Sequence, residues 1–276
     1  MNAPLEARGF IALDDRRLDY RFVGPQPDAA PTLVLLHEGL GCAGLWLDFP
    51  ERLAKATGLG VFAYSRAGYG QSSPAPLPWP LDYMQREAKE TLPKLLDAVG
   101  FREGLLVGHS DGASIAAVYA GSFADRRLRG VSLLAPHFFV EDFSLVEIAK
   151  AKAAYETTDL KRKLARWHAD PDNAFRGWNE SWLHPQFKLW DIRQFLQQIS
   201  CPVQVIQGEA DLYGTMAHAE AAQSLCNIAV DVVRMPEIGH SPHREAPEAA
   251  VAAVAAFCGR SLSRSGRGDI QIGLDK

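Results

Sequence analysis

Hydrophobic and polar positions follow two rhythms along this chain. Short, continuously apolar runs read as strands buried on both faces: TLVLLHE (32–38), GVFAYSR (60–66), LLVGHS (105–110), VSLLAP (131–136), VQVIQGEAD (203–211) and DVVRMP (231–236). Ahead of them, 8–14 and 16–23 predict a first pair of strands joined at Asp14-Asp15. Between the runs, apolar spacing near 3.6 predicts helices. LWLDFPERLAKAT carries Pro50 in its first part. Residues 84–98 repeat Met84, Leu92, Leu95 and Leu96, with Val99 just beyond; 113–123 is Ala-rich, and 247–258 opens on Pro247. The loop AGYGQSSPAPLPWP is too rich in Pro and Gly for regular structure. Buried strands alternating with helices predict an α/β class, a mostly parallel sheet flanked by helices.

One segment breaks the alternation. Residues 137–199 hold no convincing strand and read as helices, with N-caps expected at Asp142 or Ser144, Asp159 and Asp191. Four of the six tryptophans lie there: Trp167, Trp178, Trp182 and Trp190. The expected organisation is a core made of 1–136 and 200–262, with 137–199 inserted as a helical lid. The final stretch, poor in apolar residues from 260 on and counted as a tail over 263–276, is expected to be loosely attached. No internal repeat is present.

The stretch VGHSDG poses the chemical question, because Ser110 and Asp111 stand side by side between two glycines. A nucleophile on a tight strand-to-helix turn needs small residues two before and two after it. Centred on Ser110, those neighbours are Gly108 and Gly112; centred on Asp111, they are His109 and Ala113. His109 is too large, so the turn presents Ser110. Asp111 becomes the residue after it, where its backbone N–H, rather than its carboxylate, is the useful group. The helix that starts here favours negative charge on an oxyanion. A serine hydroxyl needs a base, and the base needs an orienting acid. Asp211 in GEADLYG and His240 in EIGHSPHREAPE both lie just past the ends of strands, as Ser110 does. In a parallel sheet those ends share one edge, where ligands bind.

Bulk numbers narrow the picture further. The 276 residues suffice for one large α/β domain, and 47% apolar with 22% charged residues is ordinary for a globular chain. A net charge of -4 makes no case for nucleic acid. No run approaches a membrane span, and MNAPLEARGF has no apolar signal-peptide core. Cys42, Cys201, Cys226 and Cys258 lie far apart with no CxxC, as expected of reduced thiols in a cytoplasmic protein. The cysteines and histidines lack metal-ligand spacing, and no dinucleotide glycine motif occurs, so neither metal nor cofactor is expected. The expected partner is a small-molecule substrate; no motif addresses its identity or the oligomeric state.

Over roughly residues 8–260 the chain resembles the α/β-hydrolase-fold serine hydrolases. The resemblance rests on LLHEGLG, YSRAGYGQS, VGHSDG, IQGEAD and IGHSPHREAPE, in that order. It implies Ser110 as nucleophile, His240 as base and Asp211 as acid, in the chain order Ser, Asp, His. Glu209 competes as acid but lies nearer its strand. His243 competes as base but reads as a helix-approach residue bonding the backbone. His109 reads as a packing or hydrogen-bonding residue, and His37 as a brace for the oxyanion loop. The chain departs from the family pattern in two places. His37-Glu38-Gly39 replaces His-Gly-x, so the oxyanion donors are Asp111 N–H with that of Gly39 or of Glu38. Glu38 either binds a substrate cation, acts on a proton, or bridges to a nearby arginine such as Arg66, the last being preferred. Ser65 stands where the family has aspartate, an exchange read as structural.

His137, Phe138, Phe139, Phe143, Trp178 and Tyr213 are expected near the site, with His137, Phe138, Trp178 and Tyr213 taken as substrate-binding. The implied activity is hydrolysis of a small apolar or aromatic carboxylic ester through an acyl-enzyme. The alternatives are a carbon–carbon bond hydrolase of aromatic ring-cleavage products and a non-catalytic ligand-binding receptor. A dehalogenase or epoxide hydrolase is disfavoured, since those carry aspartate where Ser110 stands.

Overall fold

The computed structural model, which describes residues 4–263, gathers eight strands into one sheet. In chain order they are β1 (Arg8–Leu13), β2 (Arg16–Val23), β3 (Thr32–Leu36), β4 (Gly60–Tyr64), β5 (Gly104–His109), β6 (Leu128–Leu134), β7 (Val203–Gly208) and β8 (Val230–Met235). The spatial order is β1-β2-β4-β3-β5-β6-β7-β8, antiparallel at β1–β2 and β2–β4 and parallel across the rest. Strand order reverses between β3 and β5, and a crevice forms there at the C-terminal ends.

Period-two alternation divides the apolar strand residues between two cores. Leu33, Leu35, Val61, Ala63, Leu105 and Val107 pack against α1 (Phe49–Thr57) and the closing helix. Val34, Leu36, Phe62, Tyr64 and Leu106 pack on the opposite face. That face is covered by α2 (Tyr83–Arg86), α3 (Leu92–Ala98) and α4 (Asp111–Ser122). Between α2 and α3 the helix widens into a π turn over Glu87–Thr91. Pro93 follows two residues after its end, and with no N–H to give and a ring that crowds the carbonyl four residues back, it accounts for the wider turn.

Between β6 and β7 the chain forms α5 (Asp142–Thr157), α6 (Leu160–Leu164), α7 (Pro171–Trp182) and α8 (Arg193–Leu196). The caps differ from expectation. Neither Asp142 nor Ser144 caps α5, and Asp159 stands at the α6 N-cap position without a side-chain bond to the helix backbone. Asp191 Oδ1 accepts the Arg193 N–H from two residues before α8, ahead of the N-cap Ile192. Of these four helices α7 has a capped start, where Asp170 accepts from Asn173 N at 2.9 Å. This segment is tied to the loop after β4. His168 Nδ1 accepts the Gly70 N–H at 2.9 Å, and Asn173 clamps Ala75 by both its N–H and its carbonyl.

After β7 come α9 (Ala217–Leu225), α10 (Pro242–Glu245) and α11 (Pro247–Ser263). No helix was expected at α9, whose AHAEAAQSL carries a short apolar stripe (buried Ala219 and Ala222) and no side-chain cap. The closing helix runs five residues past the expected 258, burying Ser261, so 260–263 is helix rather than tail. The remainder of the expected tail, 264–276, lies outside the described residues. Among the described residues no helix is long and apolar enough to cross a membrane.

Candidate active site

Ser110 sits between β5 and α4 with φ 53 and ψ −119, a backbone setting that L-residues rarely adopt. Its two glycine neighbours are required sterically. A Cβ on Gly108 would run into the Gly112 carbonyl and Ala113, and one on Gly112 into the carbonyls of Leu36 and His37. The bend is thus pressed against β3, whose Leu36 pairs with Gly108. That register sets the loop His37-Glu38-Gly39 beside Ser110.

The C-terminal strand ends bring the other two residues to the same edge. His240 Nε2 lies 2.9 Å from Ser110 Oγ. His240 Nδ1 lies 2.8 Å from Asp211 Oδ2 and 3.0 Å from Oδ1. A carboxylate accepts, so Nδ1 carries the proton and Nε2 turns its lone pair to the serine. Asp211 is buried and well supplied with donors. Gln207 Nε2 donates to Oδ2 at 2.9 Å, and the N–H groups of Tyr213 and Gly214 donate to Oδ1 at 2.7 and 3.2 Å. Burial opposes its charge, but His240 and the Tyr213 N–H outweigh that and hold its carboxyl down at about 2. Glu209 is exposed and has no contact with His240. Gln207 was not singled out in the sequence, because it is hidden inside an otherwise apolar strand.

A cavity of about 310 Å³ opens above Ser110. Its walls include Glu38, Gly39, Leu40, Asp111, His137, Trp178, Trp182, Tyr213, His240 and Arg244. Three of the four expected substrate contacts, His137, Trp178 and Tyr213, therefore line it. Phe138 does not. It is fully buried, and its N–H donates to His218 Nδ1, so its ring belongs to the core rather than to the cavity. Phe143 is half-exposed on α5 and also absent from the walls. Trp178 packs on Gly39, where a Cβ would strike its indole. Trp182, expected only among the lid aromatics, reaches the site through Tyr83: its Nε1 donates to Tyr83 Oη at 3.1 Å, and Tyr83 donates to Asp111 Oδ2 at 2.5 Å. Burial pushes the Asp111 carboxyl up, against the pull of Arg66, and its Oδ1 is buried without a partner.

Two departures from the family pattern are resolved by contacts. Ser65 Oγ donates to Asp19 Oδ1 at 2.7 Å and accepts the Ala43 N–H at 2.9 Å, so it ties β2 and β4 to the loop after β3. Glu38 does not bridge to Arg66 with its carboxylate. The Arg66 guanidinium donates instead to the backbone carbonyls of His37 and Glu38, and the Glu38 carboxylate faces His109, with Oε2 3.4 Å from Nδ1. His37 accepts the Arg66 N–H at Nε2 and donates from Nδ1 to the Glu38 carbonyl, bracing that loop. His243 does not bond the backbone through its ring. It is buried against Trp46, Phe49 and His109. No group of three His, Cys, Asp or Glu side chains among the described residues is placed to hold a metal ion.

The family model for the "Alpha/beta hydrolase family" matches residues 33–254. Serine hydrolase BPHL of Homo sapiens is 27% identical over 224 residues, 76% of this chain and 72% of that protein. A proline iminopeptidase of Lactobacillus helveticus is 34% identical over 104 residues, 36% of this chain and 33% of its own length. Among solved structures, MGS-M2, an alpha/beta hydrolase enzyme from a deep-sea metagenome library, superposes with a TM-score of 0.73 at 20% identity, covering 97% of this chain and 99% of that one.

Proposed function

Because this chain belongs to the alpha/beta hydrolase family, we propose that it is a serine hydrolase cleaving a small apolar or aromatic carboxylic ester through an acyl-enzyme. The observation that carries the reading is the unbroken line from Asp211 through His240 to Ser110 Oγ, at 2.8 and 2.9 Å. Ser110 Oγ attacks the ester carbonyl while His240 Nε2 takes its proton. Asp211 holds the imidazolium that forms. The N–H groups of Asp111 and Gly39 (or Glu38) receive the oxyanion; Asp111 opens α4, where the helix dipole favours negative charge. His240 returns its proton to the leaving alcohol, then activates water, and the acid departs.

The apolar side of the cavity, Leu40, Ile148, Trp178, Trp182 and Tyr213, supports a small apolar or aromatic group. The segment 137–199 acts as the lid over that substrate. Four unbridged cysteines support a reducing, cytoplasmic setting. The test is labelling with a fluorophosphonate and mapping of the adduct to Ser110, followed by a screen of esters, thioesters and ring-cleavage diketones. A ligand-binding receptor would stay unlabelled, and a carbon–carbon bond hydrolase would favour the diketones.

A second reading is favoured by Asp111. Its Oδ1 is buried without a partner, and Asp111 itself borders the cavity one residue past the nucleophile. An amine on the acyl part of the substrate would supply the missing partner. The relative named as a proline iminopeptidase is consistent with an amine-bearing acyl donor.

A further inference from the structure

The side chains of Glu38 and His109 take no direct part in the acyl-transfer steps proposed above, yet they form a second carboxylate–imidazole pair beside them. His109 is almost fully buried, and its Nε2 lies 2.7 Å from the backbone carbonyl oxygen of His240. A carbonyl only accepts, so Nε2 carries a proton. On the other side of the ring, Nδ1 faces Glu38 Oε2 at 3.4 Å and makes no hydrogen bond.

The local backbone is shaped around this contact. A Cβ on Gly41 would collide with the Glu38 carboxyl group, and the Gly41 N–H closes the turn onto the Glu38 carbonyl at 3.2 Å. The charged and titratable groups facing the pair come from three elements. His243 stands with its ring 4.7 Å from that of His109, and the ring of His240 stands 5.1 Å away. Arg244 lies near Glu38, and the Arg66 guanidinium holds the Glu38 backbone carbonyl. The loop carrying His240 is otherwise pinned by Glu245, which accepts the N–H groups of Gly239 and Ser241. His109 supplies the anchor on the sheet side.

We propose that Glu38 and His109 are positioning residues that hold the His240 carbonyl, and through it the His240 ring, between Asp211 and Ser110. The proposal rests on the reading of Ser110 and His240 as nucleophile and base. Glu38 also lines the cavity, so the competing outcome is that it reads substrate charge.

The experiment measures fluorophosphonate labelling rate, kcat and KM on a neutral ester and on an amine-bearing ester, Tm, and the low-field proton resonance of the His240–Asp211 hydrogen bond. Wild type is compared with Glu38→Gln, His109→Ala and His109→Gln. Glu38→Gln is expected to slow labelling and kcat on both esters about 10-fold, with KM little changed, Tm kept and the low-field resonance shifted or broadened. His109→Ala loses at least as much, and His109→Gln, whose amide still offers an N–H to the His240 carbonyl, recovers most of it. Unchanged rates and resonance overturn the proposal. So does a Glu38→Gln loss confined to KM for the amine-bearing ester. Should Glu38→Gln not fold, the two His109 variants carry the same comparison. Wild type that resists labelling removes the nucleophile assignment first, and this proposal with it.

Discussion

His240 holds its Nε2 2.9 Å from Ser110 Oγ, although 130 residues separate the two along the chain. The contact joins the end of β5 to the loop after β8, and it exists because parallel strands deliver both to one edge. Removing the oxygen should leave that frame intact, since Ser110 Oγ supports no other bond. Ser110→Ala is expected to lower kcat/KM on an activated ester by about 10³-fold or more, with circular dichroism and Tm unchanged. Substantial residual turnover would point to a different nucleophile.

Asp211 links the site to acid stability. Its carboxyl is held at about 2, against an ordinary 3.8, by His240 and backbone donors. The folded value lies below the unfolded one, so the group stabilises the fold fully above the unfolded pKa. That contribution drains away as pH falls through 3.8 toward 2. Its size is about 2 kcal/mol. Asp211→Asn should therefore be less stable than wild type at pH 6, and the gap should narrow as acid unfolding is followed below pH 4. A gap independent of pH would mean that ionisation of Asp211 is not what stabilises.

Much of this arrangement was legible in the sequence, for physical reasons that differ from place to place. The bend at Ser110 could be read because its sterics are local: two glycines at fixed offsets are a requirement of the backbone itself. The buried strands could be read because they are apolar on both faces. α9 escaped because its stripe is short and uncapped, so its stability comes from packing against the sheet. Phe138 was misplaced because proximity in sequence to the cavity says nothing of which way a ring turns. Glu38 was paired with the wrong partner for a similar reason. Arg66 is near, but its guanidinium is taken by two carbonyls, and the carboxylate turns to a histidine from another strand.

Gly112 tests the bend from its far side. A Cβ there would meet backbone of Leu36 and His37, which cannot swing aside as a side chain can. Gly112→Ala must push the loop after β3 away from Ser110. The expected cost is about 1–3 kcal/mol in stability, seen as a lower Tm, together with a loss of labelling rate larger than the loss of stability explains. Normal labelling in a folded Gly112→Ala protein would show that the loop tolerates displacement and that its N–H groups are not needed.

Asp111 separates the two readings of the substrate. Its backbone N–H is the group proposed to receive the oxyanion, and Asp111→Asn leaves it in place. In the side chain, Oδ2 accepts from Tyr83 and Oδ1 is buried without a partner. Asparagine keeps an oxygen for Tyr83 and removes the acid, so the Tyr83–Trp182 network should survive. If the substrate is a neutral ester, Asp111→Asn should hold kcat/KM within a few-fold. If the acyl part carries an ammonium, the variant loses its charge partner, and kcat/KM on amine-bearing esters should fall about 10-fold or more while neutral esters are spared. Paired measurements on two esters differing only by the amine decide the matter. A drop of equal size on both would mean that the carboxyl acts through Tyr83 on the shape of the site, and the amine reading would then fall.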